Sequence, residues 1–202
     1  MTGRRAYRVA KRAFDLAASL VLLPLVLPVM MLCALAIVIE SAGAPIIVQQ
    51  RTGRNGERFG MLKFRTMVRN AEELKASLAH LNILPPPDFK IIDDPRITRV
   101  GRFLRKTSLD ELPQIFNVIR GDMSLVGPRP TSFAASTYDL WQTERLEVTP
   151  GITGLWQVEG RNSMTFDERL RLDIDYVRNM SLRLDLKILS LTVASVVGGA
   201  GA

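Results

Sequence analysis

The chain has 202 residues, enough for one domain with a core of ordinary size. It carries 27 lysines and arginines against 20 acids, and this basic balance indicates an anionic partner: nucleic acid, anionic lipid or a phosphorylated substrate. The single cysteine excludes an intramolecular disulfide, and the single histidine argues against a multi-histidine metal site and a Ser-His-Asp triad.

The first element is an uncharged apolar run from Leu16 to Ile39. As a straight helix it would be about 36 Å long, enough to cross a bilayer. Pro24 and Pro28 each remove a helix hydrogen bond and favour a kink. Basic residues flank the run on both sides, at positions 4, 5, 8, 11 and 12 and at positions 51, 54, 58, 63, 65 and 69. Both flanks therefore prefer the cytoplasm, which predicts a broken, re-entrant hairpin rather than the alternative, a kinked signal anchor that spans.

The soluble elements follow in order. Residues 45–67 have β-branched and aromatic residues around Gly-Arg-Asn-Gly and predict a short β-hairpin. Residues 70–83 predict an amphipathic helix that ends before the prolines at 85–87. From 96 to 106 basic residues recur every three positions, so much of the charge could share one helical face. Residues 165–197 predict one long or two shorter helices. The fold class is therefore α-rich α+β.

Two adjacent carboxylates, Asp110 and Glu111, stand in a strongly basic neighbourhood. Leucine and isoleucine spacing around them predicts an amphipathic helix, and Ser108 with Glu111 matches a capping box at its start. Helix-start chemistry alone would explain both acids. Side chains one position apart, however, point about 100° apart on a helix, so one could face a phosphorus while the other holds a cation. A carboxylate can attack phosphorus to give an acyl phosphate, and Mg²⁺ with arginines can neutralise the phosphate charge.

Five stretches carry a family resemblance: "KRAFD" at 11–15, "QQRTGRNGERFGMLKFRTM" at 49–67, "DDPRITRVGRFLRKTSLDELPQIFNVIRGDMSLVGPRP" at 93–130, "PGITGLWQVEGRN" at 150–162 and "LDIDYVRNMSLRLDLKIL" at 172–189. The sequence resembles the bacterial sugar transferase family, the monotopic phosphoglycosyl transferases. The resemblance implies a basic N-terminus and re-entrant membrane helix in 1–40, packed on a cytoplasmic catalytic domain in 41–202. That domain should contain the short β-hairpin and amphipathic interfacial helices. Because only 15 residues precede the apolar run, we expect the small, catalytic-core form.

The resemblance also implies a reaction. Members transfer a sugar 1-phosphate from a nucleotide diphosphate sugar, expected here to be a UDP-sugar, to polyprenol (undecaprenyl) phosphate, and they release a nucleoside monophosphate (UMP). Carried over, Asp110 is the nucleophile that forms the covalent phosphosugar, and Glu111 is the second catalytic residue and the Mg²⁺ ligand. The substrate-binding residues implied are Arg105, Arg129, Lys63, Arg161 and Asn162. Asp173 and Tyr176 also match, although an ordinary amphipathic helix explains them equally well.

The resemblance places this chemistry on the cytoplasmic face of the bacterial inner membrane, at the first membrane step of glycan or exopolysaccharide assembly. Family members often carry Ser-Pro at the hairpin break, whereas this chain has Leu27–Pro28, which leaves the angle and depth of the hairpin open.

Two other classes remain to be weighed. A basic module for nucleic acid would need a recognised motif or aromatic interleaving, and we find neither, so nucleic acid is not an expected partner. The other is a membrane-anchored basic binding protein without catalysis. The sugar, the nucleotide base and the oligomeric state stay open, since an apolar face near the C-terminus could meet the bilayer or form a homodimer.

Overall fold

The computed structural model describes residues 2–83, 89–160 and 164–198 of the chain. Its helices and strands are α1 (Thr2–Glu40), β1 (Ile46–Thr52), β2 (Arg58–Phe64), α2 (Glu73–Ser77), α3 (Arg99–Lys106), α4 (Gln114–Arg120), β3 (Ser124–Val126), β4 (Gly151–Thr153), α5 (Leu155–Glu159), α6 (Phe166–Asn179) and α7 (Leu182–Val197). Short 3-10 helices lie at Arg54–Gly56, Ala79–Leu81, Leu109–Glu111, Ala135–Thr137 and Leu140–Glu147. The predicted α-rich α+β class is confirmed.

The long helix α1 contains Pro24 and Pro28 and carries the apolar run. By length and composition it could cross a membrane, and most of its apolar side chains are exposed, among them Val21, Leu25 and Ile39. Its ends nevertheless contact one domain. The Arg12 guanidinium donates to the carbonyls of Val118 and Ile119 at the end of α4, and the Glu40 carboxylate accepts from the first amides of α3. The re-entrant hairpin itself stays a prediction.

The predicted β-hairpin is confirmed. Strands β1 and β2 pair antiparallel, from Ile46 opposite Phe64 to Thr52 opposite Arg58. The turn between them uses Asn55 at φ 56° and Gly56 at φ 80°, a left-handed conformation that asparagine and glycine adopt at low cost. The hairpin projects the end of β2 toward the segment that carries the two carboxylates.

A second, parallel pair of strands was not predicted. Strand β3 pairs with β4, Ser124 opposite Gly151 and Val126 opposite Thr153. The backbones approach closely beyond β3, where a Cβ on Gly127 would lie only 2.6 Å from the Thr149 carbonyl oxygen. Each strand has three residues, too few for an alternating pattern to be recognised in the sequence.

The core has two main parts. The C-terminal half of α1 packs its Met30, Cys33 and Ile37 against Phe64 and Leu104 of the domain. Helices α6 and α7 pack on β3 through a cluster formed by Val126, Leu155, Tyr176, Val177 and Ile188. Strand β3 therefore lies between the membrane-type helix and the C-terminal helices.

Three other predictions meet different outcomes. The C-terminal segment forms two helices, the first begun by a capping box of Thr165 and Glu168, as the two-helix alternative expected. In 70–83 only the five residues of α2 and a 3-10 turn are helical, because few of their side chains find a buried partner. The prediction that much of the charge over 96–106 shares one helical face is met in part. Arg99 and Arg102 are exposed on α3, whereas Arg96 precedes the helix and pairs inward with Asp94, at 2.7 Å.

Candidate active site

Asp110 and Glu111 lie in a 3-10 turn, Leu109–Glu111, that links α3 to α4. The predicted helix start with a capping box was wrong. Ser108 sits in the left-handed region at φ 56°, its side chain makes no capping bond, and the Glu111 amide donates instead to the Ser108 carbonyl at 3.3 Å. The reversal after α3 thus takes the chain sharply inward, and it buries Asp110 to 3% exposure.

Lys63, near the end of β2, pairs with both carboxylates. Its Nζ lies 2.8 Å from Asp110 Oδ2 and 3.6 Å from Glu111 Oε1. A buried carboxylate is costly unless it is paired and hydrogen-bonded, and this lysine supplies the ion pair for Asp110. The lysine therefore belongs to the same site as the two acids.

Arg129, in the Gly-Pro-Arg-Pro segment after β3, is the second cation that pairs with Glu111. Its Nη1 donates to Glu111 Oε2 at 3.2 Å and its Nη2 donates to Oε1, which makes a two-bond fork. Burial alone would raise the pKa of Glu111, but the charges of Arg129 and Lys63 outweigh it and lower the pKa to about 2. Glu111 is therefore an ionised, acceptor-only group at neutral pH.

Arg105 lies at the edge of this group. Its Nε donates to Thr66 Oγ1 at 2.8 Å. Burial lowers the pKa of Arg105, while the nearby charges of Asp110 and Asp94 raise it. Arg161 and Asn162, predicted as substrate-binding residues, lie outside the described residues. The structure thus brings together Asp110, Glu111, Lys63 and Arg129, with Arg105 within electrostatic reach.

Arg51 on β1 is a residue that sequence reasoning missed. Burial lowers its pKa, the positive charges of Arg129 and Arg58 lower it further, and Glu111 opposes them. A signal was present in the hairpin register: Ile47 opposes Lys63, and Arg51 follows Ile47 by four residues, so Arg51 and Lys63 share one face of the sheet. Arg51 is therefore a fourth cation near the carboxylates, after Lys63, Arg129 and Arg105.

A buried ion pair contacts the backbone carbonyl of Arg129. The Nε and Nη2 of Arg145 contact Asp173 Oδ2 at 3.0 and 2.6 Å, and Nη2 also donates to the Arg129 carbonyl. Burial raises the pKa of Asp173 to about 6, against the opposing charge of Arg145. Asp173 therefore supports the arginine segment, whereas Tyr176 bonds elsewhere, to Asp185 at 2.7 Å.

Two cavities lie next to this group, and Arg129 and Trp156 line both of them. One, of about 360 Å³, is polar and basic. Its cations and rings are Arg51, Lys75, Phe89, Arg129, Arg145, Phe133, Trp156, Phe166 and Arg169. The other, of about 430 Å³, is an apolar groove that Glu111 also lines. It runs between Leu22 and Val26 of α1, Leu112 and Ile115, and Thr192 and Val196 of α7.

A divalent cation would have few protein ligands here. Within 2–83, 89–160 and 164–198, no three His, Cys, Asp or Glu side chains gather as a metal site. Mg²⁺, however, usually keeps several waters and is held by one or two carboxylates together with substrate phosphates. The ionised Glu111 beside a basic cavity fits that donor set.

Comparisons with known proteins identify the family of the chain. The family described as "Bacterial sugar transferase" matches residues 6–199. The chain is 46% identical to the undecaprenyl-phosphate galactose phosphotransferase of Salmonella typhimurium over 98% of its length, and 43% identical to the UDP-galactose-lipid carrier transferase of Erwinia amylovora over 98%. It is 41% identical over 93% to the exopolysaccharide production protein ExoY of Rhizobium meliloti.

The chain spans 43% of the length of the first two relatives and 85% of the third. The match to the family covers all the elements that build the carboxylate site, from α1 to α7. The chain therefore belongs to the bacterial sugar transferase family.

Proposed function

We propose that this protein transfers a sugar 1-phosphate from a nucleotide diphosphate sugar, a UDP-sugar, to polyprenol (undecaprenyl) phosphate and releases UMP. The printed names of two relatives, an undecaprenyl-phosphate galactose phosphotransferase and a UDP-galactose-lipid carrier transferase, support this pair of substrates. The name of a third, an exopolysaccharide production protein, supports a role in the first membrane step of exopolysaccharide assembly.

The observation that carries the proposal is that Arg129, which pairs with Glu111, lines two unlike cavities. The basic cavity suits a diphosphate through Arg51 and Arg129, and its aromatic residues suit a base or sugar. The apolar groove suits a polyprenyl chain, and α1 supplies Leu22 and Val26 to its wall. A donor in the basic cavity and a lipid acceptor in the apolar groove would thus both contact Arg129, beside Glu111.

In the first half of the reaction, a carboxylate oxygen of Asp110 attacks the phosphorus that bears the sugar. A new bond forms between that oxygen and phosphorus, and the bond from this phosphorus to the bridging oxygen breaks. UMP leaves with the electron pair, and the enzyme keeps an acyl phosphate. Lys63 orients the Asp110 carboxylate, while Arg129 and Arg105 balance the charge of the phosphates.

In the second half, a phosphate oxygen of the lipid attacks the same phosphorus. The polyprenol-diphosphate sugar forms, and the Asp110 carboxylate leaves, which regenerates the enzyme. Glu111 would hold Mg²⁺, and the cation would supply positive charge that offsets the charge of the phosphates. Because the pKa of Glu111 is about 2, this carboxylate is available for the cation throughout the physiological pH range.

We further propose a monotopic topology with the catalytic domain on the cytoplasmic face of the inner membrane. A helix that crossed the bilayer would carry its ends to opposite sides, about 30 Å apart. Here Arg12 contacts α4 and Glu40 contacts α3, so the same domain holds both ends. Pro24 and Pro28, between these contacts, are where the helix would turn back.

Radiolabelled UDP-sugar tests the reaction. Wild-type protein with undecaprenyl phosphate and Mg²⁺ should release UMP and form labelled lipid, and EDTA should stop both. Asp110→Asn should lower transfer by at least about a thousandfold and abolish the covalent label on the protein. The control is Asp93→Asn, an exposed carboxylate whose positive φ asparagine tolerates. Full labelling of the Asp110 variant would contradict the nucleophile assignment.

Single cysteines test the topology. In a Cys33→Ser background, Ala13→Cys and Ile39→Cys each place a thiol at an exposed position at one end of the apolar run. A membrane-impermeant maleimide applied to intact cells should label neither, and both should react after lysis. Labelling of either thiol from outside would show a spanning helix.

A further inference from the structure

A cluster of buried polar side chains lies at the base of α1, outside the carboxylate site. We call it the base cluster, and it consists of Lys11, Asp15, Ser124, Tyr176 and Asp185, none more than 8% exposed. Lys11 Nζ lies 3.0 Å from Asp15 Oδ1 and 3.4 Å from Asp185 Oδ2, and the Tyr176 hydroxyl lies 2.7 Å from Asp185 Oδ1. Side chains from α1, β3, α6 and α7 therefore meet in one network.

The base cluster contacts strand β3 from two sides. On one side, Asp15 Oδ2 accepts from Ser124 Oγ at 2.7 Å, and Asp15 Oδ1 lies 3.4 Å from the Leu125 amide. On the other side, the Tyr176 hydroxyl lies 3.2 Å from the Val126 carbonyl oxygen. Every residue of β3 is thus contacted by a polar group of α1 or α6.

Hydrogen bonds and close contacts restrain the backbone that connects β3 to Arg129. The Gly127 amide donates to the Thr153 carbonyl at 2.9 Å, and the Pro128 carbonyl accepts from the Gly151 amide at 3.0 Å. A Cβ on Gly127 would lie 2.6 Å from the Thr149 carbonyl oxygen, so this backbone cannot shift toward its neighbour. Pro128 fixes φ in the residue before Arg129. A displacement of β3 would therefore move Arg129.

We propose that Asp15 and Tyr176 are positioning residues that fix strand β3 and, through it, the guanidinium of Arg129 against Glu111. Neither side chain contacts the carboxylate pair, and both act through the backbone of 124–128. Asp15 also directly precedes the apolar run of α1. The contact between Asp15 and β3 therefore links the position of Arg129 to α1. This assigns a task to the "KRAFD" stretch and to Tyr176. Only the kinetic test below rests on the proposed transferase reaction.

Tyr176 of the base cluster and the neighbouring Tyr7 offer a matched pair of variants. Tyr7 and Tyr176 both place a hydroxyl near Asp185, at 2.9 and 2.7 Å, but only Tyr176 also contacts β3. Tyr176→Phe removes the contact with Val126, whereas Tyr7→Phe leaves it. Ser124→Ala is a second variant that loosens β3 without altering either tyrosine.

The first test is amide hydrogen exchange of the full chain in nanodiscs. Tyr176→Phe and Ser124→Ala should each speed exchange at Gly127, Arg129 and Thr131 by about fivefold, the effect of losing one buried hydrogen bond. Tyr7→Phe should leave these amides unchanged. Equal exchange in all three variants, or an effect of Tyr7→Phe as large as that of Tyr176→Phe, would overturn the proposal.

The second test is a double-mutant cycle on kcat/KM for the UDP-sugar. Tyr176→Phe should lower it about tenfold in the wild-type background, since a displaced Arg129 loses its alignment. It should lower it less than about twofold in an Arg129→Lys background, where that alignment is already lost. Equal effects in both backgrounds would show a general structural role instead. If wild-type protein transfers no sugar phosphate, the proposed function fails, and the exchange result still decides the positioning role.

Discussion

The carboxylate site and the base cluster both bury two acids beside cations, but they differ in how exposed the cations are and in which groups surround the ion pairs. In the site, the side chains of Lys63 and Arg129 remain 18% and 32% exposed, and Arg129 lines two open cavities. In the base cluster, the side chain of Lys11 is 10% exposed and that of Asp185 is fully buried, and tyrosine and serine hydroxyls complete the network. The first arrangement leaves its cations partly exposed to a substrate. The second buries its charges more deeply and joins α1, β3, α6 and α7, beside a cavity of about 270 Å³ that Lys11, Asp15, Ser124 and Tyr176 line.

After the loss of Asp110, the largest effect on transfer should come from removing the charge of Glu111. Glu111→Gln should lower transfer by about a hundredfold or more, because it loses an anionic oxygen that faces developing charge and the cation. Its melting temperature should change little, since the amide oxygen can still accept from Arg129 and both cations reach water.

Transfer kinetics and a thermal melt, recorded on the same preparation, check this prediction. Asp122→Asn, a change of a half-exposed carboxylate near the end of α4, is the control and should leave transfer unchanged. A large fall in melting temperature with modest loss of activity would place Glu111 among the structural acids.

Asp185→Asn should show the reverse pattern. It removes a charge from a fully buried position that faces Lys11, Tyr7 and Tyr176, and it leaves Lys11 with Asp15 alone. Breaking a buried pair costs about 3–5 kcal/mol, equivalent to a melting temperature lower by about 10 °C. Thermal melting measures it, with Asp175→Asn on the exposed side of α6 as control. An unchanged melting temperature would remove the contrast between the two regions.

Local signals predicted much of the fold. The hairpin was visible from its Gly-Arg-Asn-Gly turn, and the C-terminal helices α6 and α7 from the spacing of their apolar residues. The same kind of signal failed at Ser108, where the chain reverses in a left-handed conformation that a capping pattern does not reveal. Strands β3 and β4 were missed because three-residue strands depend on pairing between distant segments rather than on local pattern.

The site was predictable only in part. The adjacent acids and the basic neighbourhood were visible in the residues, but the joining of Lys63 to Asp110 depends on the contact between β2 and a turn far along the chain. The pair Arg145–Asp173 spans 28 positions, and no periodicity reports which buried arginine meets which buried acid. Long-range ion pairs therefore had to be read from the structure.

Asp173 stands between the two regions and gives the smallest effect. Its pKa, raised by burial to about 6 from 3.8, means that the folded protein binds its proton more tightly than the unfolded chain does. Between these values the folded state holds more protons, so this group's contribution to stability is present below about pH 4 and is lost as the pH rises through 6. Asp173→Asn cannot titrate and should lack this component.

The measurement is the difference in melting temperature between wild type and Asp173→Asn from pH 4 to 7. As the pH rises, the melting temperature of Asp173→Asn should increase relative to that of wild type. The change should be several degrees at most, because the Arg145 charge compensates part of the cost of burying Asp173. Arg145 also holds the Arg129 carbonyl, so transfer by the variant should fall less than transfer by Glu111→Gln. A difference that is independent of pH would mean that Asp173 is ionised in the folded protein throughout, as a purely structural partner of Arg145 would be.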